Sequence, residues 1–307
     1  MHVCAVRTVR NIIKIDVLIC TYKRTVLDQC LTSVLAQDLP EGLVVNVIVA
    51  DNASTKWALE CVMEHAKNTP ITIQYLHAPA DNISIARNAC LESATGDYVA
   101  FLDDDEIAPN DWLAQLCWDM GGHDVVFGPV VAQYPPDAPN WIVRNDFHST
   151  TLDSAQGVIQ TGYAGNVVMR WRGMPWVQER FDLALGATGG EDTDFFNRLY
   201  KLGAILTFSP HAYVHEPVAE NRLCIRWLAK RRFRSGQSFA DIAMQDVHRA
   251  VLFSTAFLKS VYSVLAMFIF AMSEKRAGFW LMRCLFHMGV FSRSIQLRTP
   301  QPHKVRR

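Results

Sequence analysis

Four acidic residues in a row follow directly on a strand-like run in residues 98–106, which read Y-V-A-F-L-D-D-D-E. The apolar run from Tyr98 to Leu102 suits a buried strand. Each pair of like charges a few ångströms apart costs on the order of 1 kcal/mol in water, and more where water is excluded. Carboxylates grouped at the end of a strand are hard ligands for Mg²⁺ or Mn²⁺. The segment therefore predicts a divalent-cation site, with a solvated acidic turn as the alternative.

The composition limits the partners and the compartment of the chain. Its 307 residues suffice for one large α/β domain or two small ones. There are 30 basic and 30 acidic residues, so no net charge attracts the chain to nucleic acid. The eight cysteines lack CxxC or zinc-type spacing, and the N-terminus lacks the apolar core of a signal peptide. We therefore expect a cytoplasmic protein with reduced thiols and no nucleic-acid partner.

Strand-like runs alternate with helical patterns in the first half of the chain. Strands are predicted at residues 15–20, 43–50, 71–76 and 98–102, and helices at 26–37 and 82–94. This alternation predicts a mainly parallel, doubly wound α/β sheet, in which ligands bind beyond the carboxyl ends of the strands. The turns after the strands are therefore expected around one crevice. These turns are residues 21–24, 51–54, 78–82 and 103–106.

A second acidic group follows the glycine-rich residues 186–190 and contains Glu191, Asp192 and Asp194. Apolar residues at helical spacing come next, so the acids lie in the first turn of a predicted helix. Acids at this position complement the helix dipole, which is a purely structural reason for them. A glycine-rich loop can also close over a ligand, which favours a functional role. The sequence pattern leaves both interpretations open.

The C-terminal part of the chain is basic and then strongly apolar. Residues 222–234 combine arginine and lysine with aromatic residues, and residues 251–272 and 279–291 are apolar. A helix needs about 20 apolar residues to cross a bilayer, so the first apolar run is about long enough. Because Lys259 and Arg283 interrupt these runs, we expect helices at the membrane interface with basic residues near anionic headgroups. A true membrane span and an ordinary buried helical subdomain are the alternatives.

Five motifs occur in a characteristic order along most of the chain. They are T-Y-K-R at residues 21–24, V-I-V-A-D-N-A-S at 47–54, N-I-S-I-A-R-N at 82–88, G-D-Y-V-A-F-L-D-D-D-E at 96–106 and T-G-G-E-D-T-D-F-F at 188–196. In this order they resemble the family 2 glycosyltransferases, which are inverting enzymes with a GT-A fold. Within that family the chain is most similar to the succinoglycan-type glucosyltransferases of exopolysaccharide assembly.

The resemblance implies a role for each candidate site residue. Asp192 would be the catalytic base, and Asp103 and Asp105 would hold Mg²⁺ or Mn²⁺. Gly189, Gly190 and Glu191 would form a loop beside the acceptor. The residues that would bind the nucleotide-sugar, favoured as a UDP-sugar, are Thr21, Tyr22, Arg24, Asp51, Asn52, Asn82, Arg87, Asp103 and Asp104. Many family members have aspartate where this chain has Asn52.

The resemblance also implies a division of the chain and a cellular setting. The expected segments are an extension (residues 1–14), a nucleotide-sugar-binding half (15–128), an acceptor-binding and catalytic-base half (129–245) and a membrane-associating helical tail (246–307). Both halves belong to one GT-A domain. The acceptor would be a saccharide or a lipid-linked saccharide, and the enzyme would lie peripherally on the inner face of the cell membrane. The Q-x-x-R-W motif of processive members is absent, since no glutamine precedes Arg226-Trp227 in that spacing.

Two other functions remain open at this point. A nucleotidyltransferase also uses acids and Mg²⁺, but usually carries a glycine- and lysine-rich loop that residues 21–24 do not provide. The motifs GxGxxG and GxxxxGK[ST] are also absent from the first half. A membrane-bound scaffold that binds sugar nucleotides without turnover is the second alternative. The intact Asp103, Asp105 and Asp192 argue against it.

Overall fold

The computed structural model describes residues 12–152, 157–187 and 189–295, and these group into two compact units. The first unit runs to Gln133 and resumes from Ser149 to Pro217. The second combines Tyr134–His148 with the chain from Val218 onward. The division into four segments expected from the sequence, with boundaries after residues 14, 128 and 245, stays a prediction.

The first unit is built on a mainly parallel sheet. Its strands are β1 Ile13–Thr21, β2 Leu43–Asp51, β3 Thr72–His77, β4 Tyr98–Asp103, β5 Val125–Phe127, β6 Val130–Gln133, β7 Asn166–Arg170, β8 Leu206–Phe208 and β9 Val214–Pro217. Seven of them form one sheet in the order β3–β2–β1–β4–β7–β5–β8. In this sheet β7 runs antiparallel to β4 and β5, and the other neighbouring strands are parallel. Strands β6 and β9 pair separately and in parallel.

Helices cover both faces of this sheet. Those of the first unit are α1 Leu27–Leu35, α2 Leu59–Lys67, α3 Ile83–Ser93, α4 Trp112–Met120 and, after a short helix α5 Asn140–Val143 of the second unit, α6 Glu191–Lys201. Successive side chains of a strand point to opposite faces. Val17 of β1 accordingly joins the apolar core that contains Leu31 of α1 and Leu113 of α4. Leu18 joins the core on the other face with Phe195 of α6.

The second unit is helical beyond a 3₁₀ turn at Glu220–Arg222, with α7 Ile225–Asp246, α8 Arg249–Ile269 and α9 Glu274–Ile295. Two glycines let α7 and α9 approach closely. A Cβ atom added at Gly236 would overlap the carbonyl of Phe286, and one added at Gly289 would overlap the carbonyl of Phe233. The helical pair therefore depends on the absence of side chains at these two positions.

Helix α8 has one face packed into the unit and one apolar face exposed. Leu252 and Ala256 are buried, whereas Leu258 and Leu265 are 65% and 58% exposed. Among the described residues α8 is the one helix long and apolar enough to cross a membrane, with a mean hydropathy of 1.7. The second apolar run of the sequence lies in α9.

Candidate active site

The carboxyl ends of neighbouring strands bring the predicted crevice residues to one edge of the sheet. The register of β1 and β2 places Thr21 beside Asp51, and the register of β1 and β4 places Cys20 beside Asp103. In this register β1, β2 and β4 end within one residue of each other, so the turns that follow them meet at one edge. Tyr22, in the turn after β1, is 43% exposed beside this edge.

The four acids after β4 differ in exposure. The Asp103 and Asp105 side chains are 43% and 14% exposed, whereas Asp104 and Glu106 are buried. The guanidinium of Arg24 lies 2.9 Å from Asp105 Oδ2 and 3.8 Å from Asp104 Oδ1. The group is thus not a solvated turn, because two of its acids are buried and one arginine from the turn after β1 contacts two of them.

Burial raises the pKa of the Asp104 carboxyl to about 7, with a further increase from Asp105 and an opposing effect from the Thr21 hydroxyl and Arg24. Burial and the Asp103 carboxylate hold the pKa of Glu106 well above its usual range. Loss of hydration also raises the pKa of Asp103, although Arg87 acts in the opposite direction. A bound cation would oppose these increases and favour the ionised carboxylates. Clustered carboxylate oxygens are ligands that fit a hard divalent cation.

Arg87 of α3 connects this group with the second acidic group. Its Nη1 donates to Glu191 Oε1 at 2.7 Å, and its Nη2 lies 3.6 Å from Asp103 Oδ1. Burial disfavours the charged guanidinium, but Asp103, Glu191 and Asp192 together raise the pKa of Arg87 above its ordinary value. Its guanidinium also lies 5.3 Å from the centroid of the Phe181 ring. The two acidic groups of the sequence are therefore parts of one site.

Glu191 and Asp192 begin α6 directly after two glycines. Gly189 and Gly190 have φ angles of 91° and 94°, a left-handed conformation that favours glycine, and Gly190 is the N-cap. Asp192 is partly exposed, and its Oδ1 accepts a hydrogen bond of 2.7 Å from the Thr193 amide. Burial raises the pKa of Glu191, Arg87 opposes this, and the Asp192 charge adds to it. Thr188, in the predicted motif, lies outside the described residues.

Asp51, Asn52 and Asn82, which are predicted nucleotide-sugar ligands, form side-chain hydrogen bonds with the loops around the crevice. The buried carboxylate of Asp51 accepts from the amides of Ala53 and Ala58 and from the Tyr75 hydroxyl, at 3.0, 2.8 and 2.9 Å. Asn52 Oδ1 accepts from the amide of Ala80 at 3.2 Å. Asn82 caps α3 by accepting from the Ser84 amide at 3.0 Å, and its Nδ2 donates to the Leu183 carbonyl at 2.9 Å. These side chains fix the loops around the crevice, and direct ligand contacts by them stay predictions.

Several neighbours of the acids gave no recognisable signal in the sequence. A Cβ atom added at Gly165 would lie 2.7 Å from Glu106 Oε1 and 3.2 Å from Asp103 Oδ2. The charge of Glu216, in β9, contributes to the raised pKa of Glu106. Ile107 and His215 exchange backbone hydrogen bonds of 2.8 and 2.9 Å, which brings β9 beside the acids. These contacts depend on chain pairing rather than on a local motif.

A separate group of side chains lies in an open cleft of about 670 Å³ lined by Arg24, Asp28, Cys61, His65 and others. The ligand atoms of Asp28, Cys61 and His65 lie within 4.8 Å of one another. His65 Nε2 is 2.9 Å from Asp28 Oδ1, so these two form an ion pair when the imidazole is protonated. The cysteine and histidine spacing had given no sign of this group.

Residues 16–173 match the model of the glycosyl transferase family 2, and residues 98–293 match that of the glycosyl transferase family group 2. The chain belongs to glycosyltransferase family 2. It is 42% identical over 297 residues to the succinoglycan biosynthesis protein ExoM of Rhizobium meliloti, covering 95% of this chain and 96% of that protein. An uncharacterized glycosyltransferase of Escherichia coli, YibD, is 36% identical over 81 residues, or 26% of this chain and 22% of that one.

Solved structures share the fold of this glycosyltransferase. A mannosyltransferase of Pyrobaculum calidifontis in complex with GDP-Man and Mn²⁺ aligns with a TM-score of 0.63 at 18% identity, over 91% of this chain and 86% of that one. S. aureus TarS 1-349 in complex with UDP aligns with a TM-score of 0.51 at 17% identity, over 91% and 90%. The predicted family, its enzyme class and the α/β GT-A fold with an apolar C-terminal helical extension are confirmed.

The buried pair of Arg87 and Glu191 yields a prediction on stability. Replacing Arg87 with Gln leaves Glu191 and Asp103 without their shared cation, so unfolding should become easier by about 3–5 kcal/mol. The double variant Arg87→Gln/Glu191→Gln should recover part of the loss, because it removes one uncompensated charge. Urea denaturation of the single and double variants measures both effects.

The matched control is Lys67→Gln, which breaks the exposed pair of Lys67 with Glu64 and should leave the denaturation midpoint unchanged. An Arg87→Gln variant as stable as the wild type would contradict a structural role for the buried pair.

Proposed function

We propose that the enzyme transfers a hexose from a UDP-sugar to a saccharide or lipid-linked saccharide acceptor, with inversion at the anomeric carbon, in exopolysaccharide biosynthesis. The convergence of Asp103, Asp105 and Asp192 on the crevice around Arg87 carries this proposal. The similarity to a succinoglycan biosynthesis protein over almost the whole chain supports the pathway class. The complexes of the fold relatives with GDP-Man, UDP and UDP-GlcNAc support a nucleotide-sugar donor.

Asp103 and Asp105 would hold Mg²⁺ or Mn²⁺, since they are the two more exposed acids of the group after β4. A divalent cation at this position supplies charge neutralisation for the diphosphate leaving group. Arg24 and Arg87 would face the nucleotide diphosphate from the two sides of the acids. Asp104, Thr21, Tyr22 and Asn52 line the same edge and would orient the donor.

Asp192 would act as the base on the acceptor. The acceptor oxygen attacks the anomeric carbon while its proton moves to an Asp192 oxygen, and the bond from the anomeric carbon to the diphosphate oxygen breaks with its electron pair on UDP. One displacement from the opposite face inverts the configuration. The Gly189–Gly190–Glu191 loop would border the acceptor, since it leads directly into Asp192. Because a carboxylate at a helix start is a weak base, positioning has to supply much of the rate.

The exposed face of α8 would bind the inner surface of the cell membrane and bring the enzyme to a lipid-linked acceptor. Val251, Leu258 and Leu265 recur every seven residues along α8, and each is more than half exposed. Seven residues are about two helical turns, so these side chains share one face. Basic residues at Arg249, Lys259 and Arg276 lie on or beside this helix and would meet anionic headgroups.

The first prediction from the proposed function concerns the base. Asp192→Asn should lower kcat by about 10²–10⁴-fold, because the amide cannot accept the acceptor proton. UDP binding in the presence of Mn²⁺ should stay within about twofold, because Asp192 is not among the donor ligands. The measurement is UDP release with a panel of UDP-sugars and acceptors, together with calorimetry.

Asp194→Asn on the same helix is the matched control, since Asp194 pairs with Arg198 at 2.9 Å and should not take part in chemistry. Equal activity of Asp192→Asn and the wild type would exclude Asp192 as the base. A wild type that neither transfers nor slowly hydrolyses any UDP-sugar would favour a binding protein without turnover.

The second prediction concerns the cation. Asp103→Asn and Asp105→Asn should each weaken Mn²⁺-dependent UDP binding about tenfold or more, because each removes an oxygen ligand. Calorimetry with UDP in Mn²⁺ and in EDTA measures the difference. Asp38→Asn, at an exposed carboxylate after α1, should leave the binding unchanged. Equal UDP affinity of the wild type with Mn²⁺ and with EDTA would rule out the proposed use of a cation.

The third prediction concerns the membrane. The variant Leu258→Gln/Leu265→Gln should reduce co-sedimentation with phosphatidylglycerol vesicles about tenfold or more, since each leucine contributes about 1.5–3 kcal/mol when buried. Its melting temperature should not fall, because both side chains are exposed. Trp118→Gln, at an 85% exposed residue of α4, is the matched control and should bind as the wild type does. Unchanged sedimentation of the double variant would exclude this face.

A further inference from the structure

Helix α3 presents a row of polar side chains to a segment that lies about a hundred residues later in the chain. Ser84, Arg87 and Asn88 have the i, i+3, i+4 spacing of one helix face, and Asn82 caps the same helix. All four contact residues between 181 and 191, which connect the region after β7 with α6. The roles assigned above use Arg87 and Asn82 and leave Ser84 and Asn88 without one.

Asn88 makes two hydrogen bonds to the backbone of a single residue. Its Nδ2 donates to the Phe181 carbonyl at 2.9 Å, and its Oδ1 accepts from the Phe181 amide at 2.8 Å. Ser84 Oγ donates to the Asp182 carbonyl at 2.9 Å. A Cβ atom added at Gly186 would overlap Asn82 Oδ1 and lie 2.6 Å from Ser84 Oγ, so the segment approaches α3 closely.

The segment needs these partners because its described residues, 181–187, 189 and 190, form neither helix nor strand. Backbone amides and carbonyls without regular pairing require other partners when water is excluded. Helix α3 supplies such partners through the side chains of Ser84 and Asn88. Local turn bonds also form at Asp182, which accepts from the amides of Ala184 and Leu185. The side chains of α3 therefore tie this local turn, through residues 181–183, to the helix.

The same segment determines where α6 begins. The Phe181 ring is buried and stacks on Phe195 of α6, with centroids 4.1 Å apart and planes 12° apart. It also meets Phe101 of β4 edge-on at 5.7 Å. Phe195 follows Asp192 by one helical turn, so a shift of Phe181 would be passed to the helix start that carries Asp192.

We propose that Asn88, supported by Ser84, is a positioning residue for the catalytic base: it holds Phe181, and through Phe181 and Phe195 it holds the start of α6 at the crevice. This inference rests on the proposed function, because it takes Asp192 as the base. Asn88 contacts none of the acids after β4, so its loss should affect the transfer step more than donor binding.

The test compares Asn88→Ala with the matched control Asn68→Ala, which removes an asparagine that donates to the Glu64 carbonyl at the end of α2. Asn88→Ala should lower kcat about tenfold or more, since a misplacement of roughly 1 Å costs about 10²-fold. The KM for the UDP-sugar and UDP affinity with Mn²⁺ should stay within about twofold. Hydrogen exchange should become faster in residues 181–195 and remain unchanged in β1 and β2. Asn68→Ala should behave as the wild type in all these measurements.

Ser84→Ala, which loses one hydrogen bond where Asn88→Ala loses two, should show a smaller decrease of kcat in the same direction, and it serves as the test if Asn88→Ala does not fold. The positioning role alone would be overturned if a folded Asn88→Ala or Ser84→Ala variant kept the wild-type kcat and hydrogen exchange while Asp192→Asn was inactive. Retained activity of Asp192→Asn would overturn the proposed base instead. An equal rise of KM and fall of kcat in Asn88→Ala would also overturn the inference, because it would indicate general damage to the site.

Discussion

One buried cation, Arg87, is shared between two acidic groups that are far apart in the sequence. It lies 2.7 Å from Glu191 and 3.6 Å from Asp103, and both its own side chain and that of Glu191 are less than a tenth exposed. A buried ion pair is often no more stabilising than an apolar replacement, whereas breaking it is costly. Its value in this protein is therefore positional. It fixes α6 against the end of β4, and the proposed chemistry needs those two elements at a fixed separation.

The buried carboxyl groups of the site destabilise the folded state, whereas the apolar cores of the first unit stabilise it. Burial raises the pKa of Asp103, Asp104, Glu106 and Glu191. A carboxyl with a higher pKa in the folded state binds protons more tightly there, so stability falls as the pH rises from the unfolded pKa toward the folded one. The apolar cores on both faces of the sheet offset this loss. Acids held in an unfavourable environment are expected where a cation or a substrate is to be bound.

Local patterns were enough to predict the sheet and the two acidic groups, because buried strands and helix starts have local signatures. Residues 15–20 and 82–94 became β1 and the capped helix α3 for that reason. The contacts of Asn88 with Phe181 and of Gly165 with Glu106 could not be found in this way. One partner in each contact lies in or beside an irregular segment, and long-range pairing alone brings the partners together. The sequence therefore identified the acids without the groups that position them.

Asp51 and Asp103 show why residue type and strand position do not determine a role. Both end parallel strands at the same edge of the sheet, on the two sides of β1. The loop after Asp51 turns back so that the amides of Ala53 and Ala58 donate to its carboxylate, which is completely buried. Asp103 is followed by three more acids, whose side chains add negative charge instead of donors. Its carboxylate therefore stays partly exposed, with the Arg87 guanidinium 3.6 Å away. The residues that follow each strand decide how fully its terminal aspartate is hydrogen-bonded within the protein.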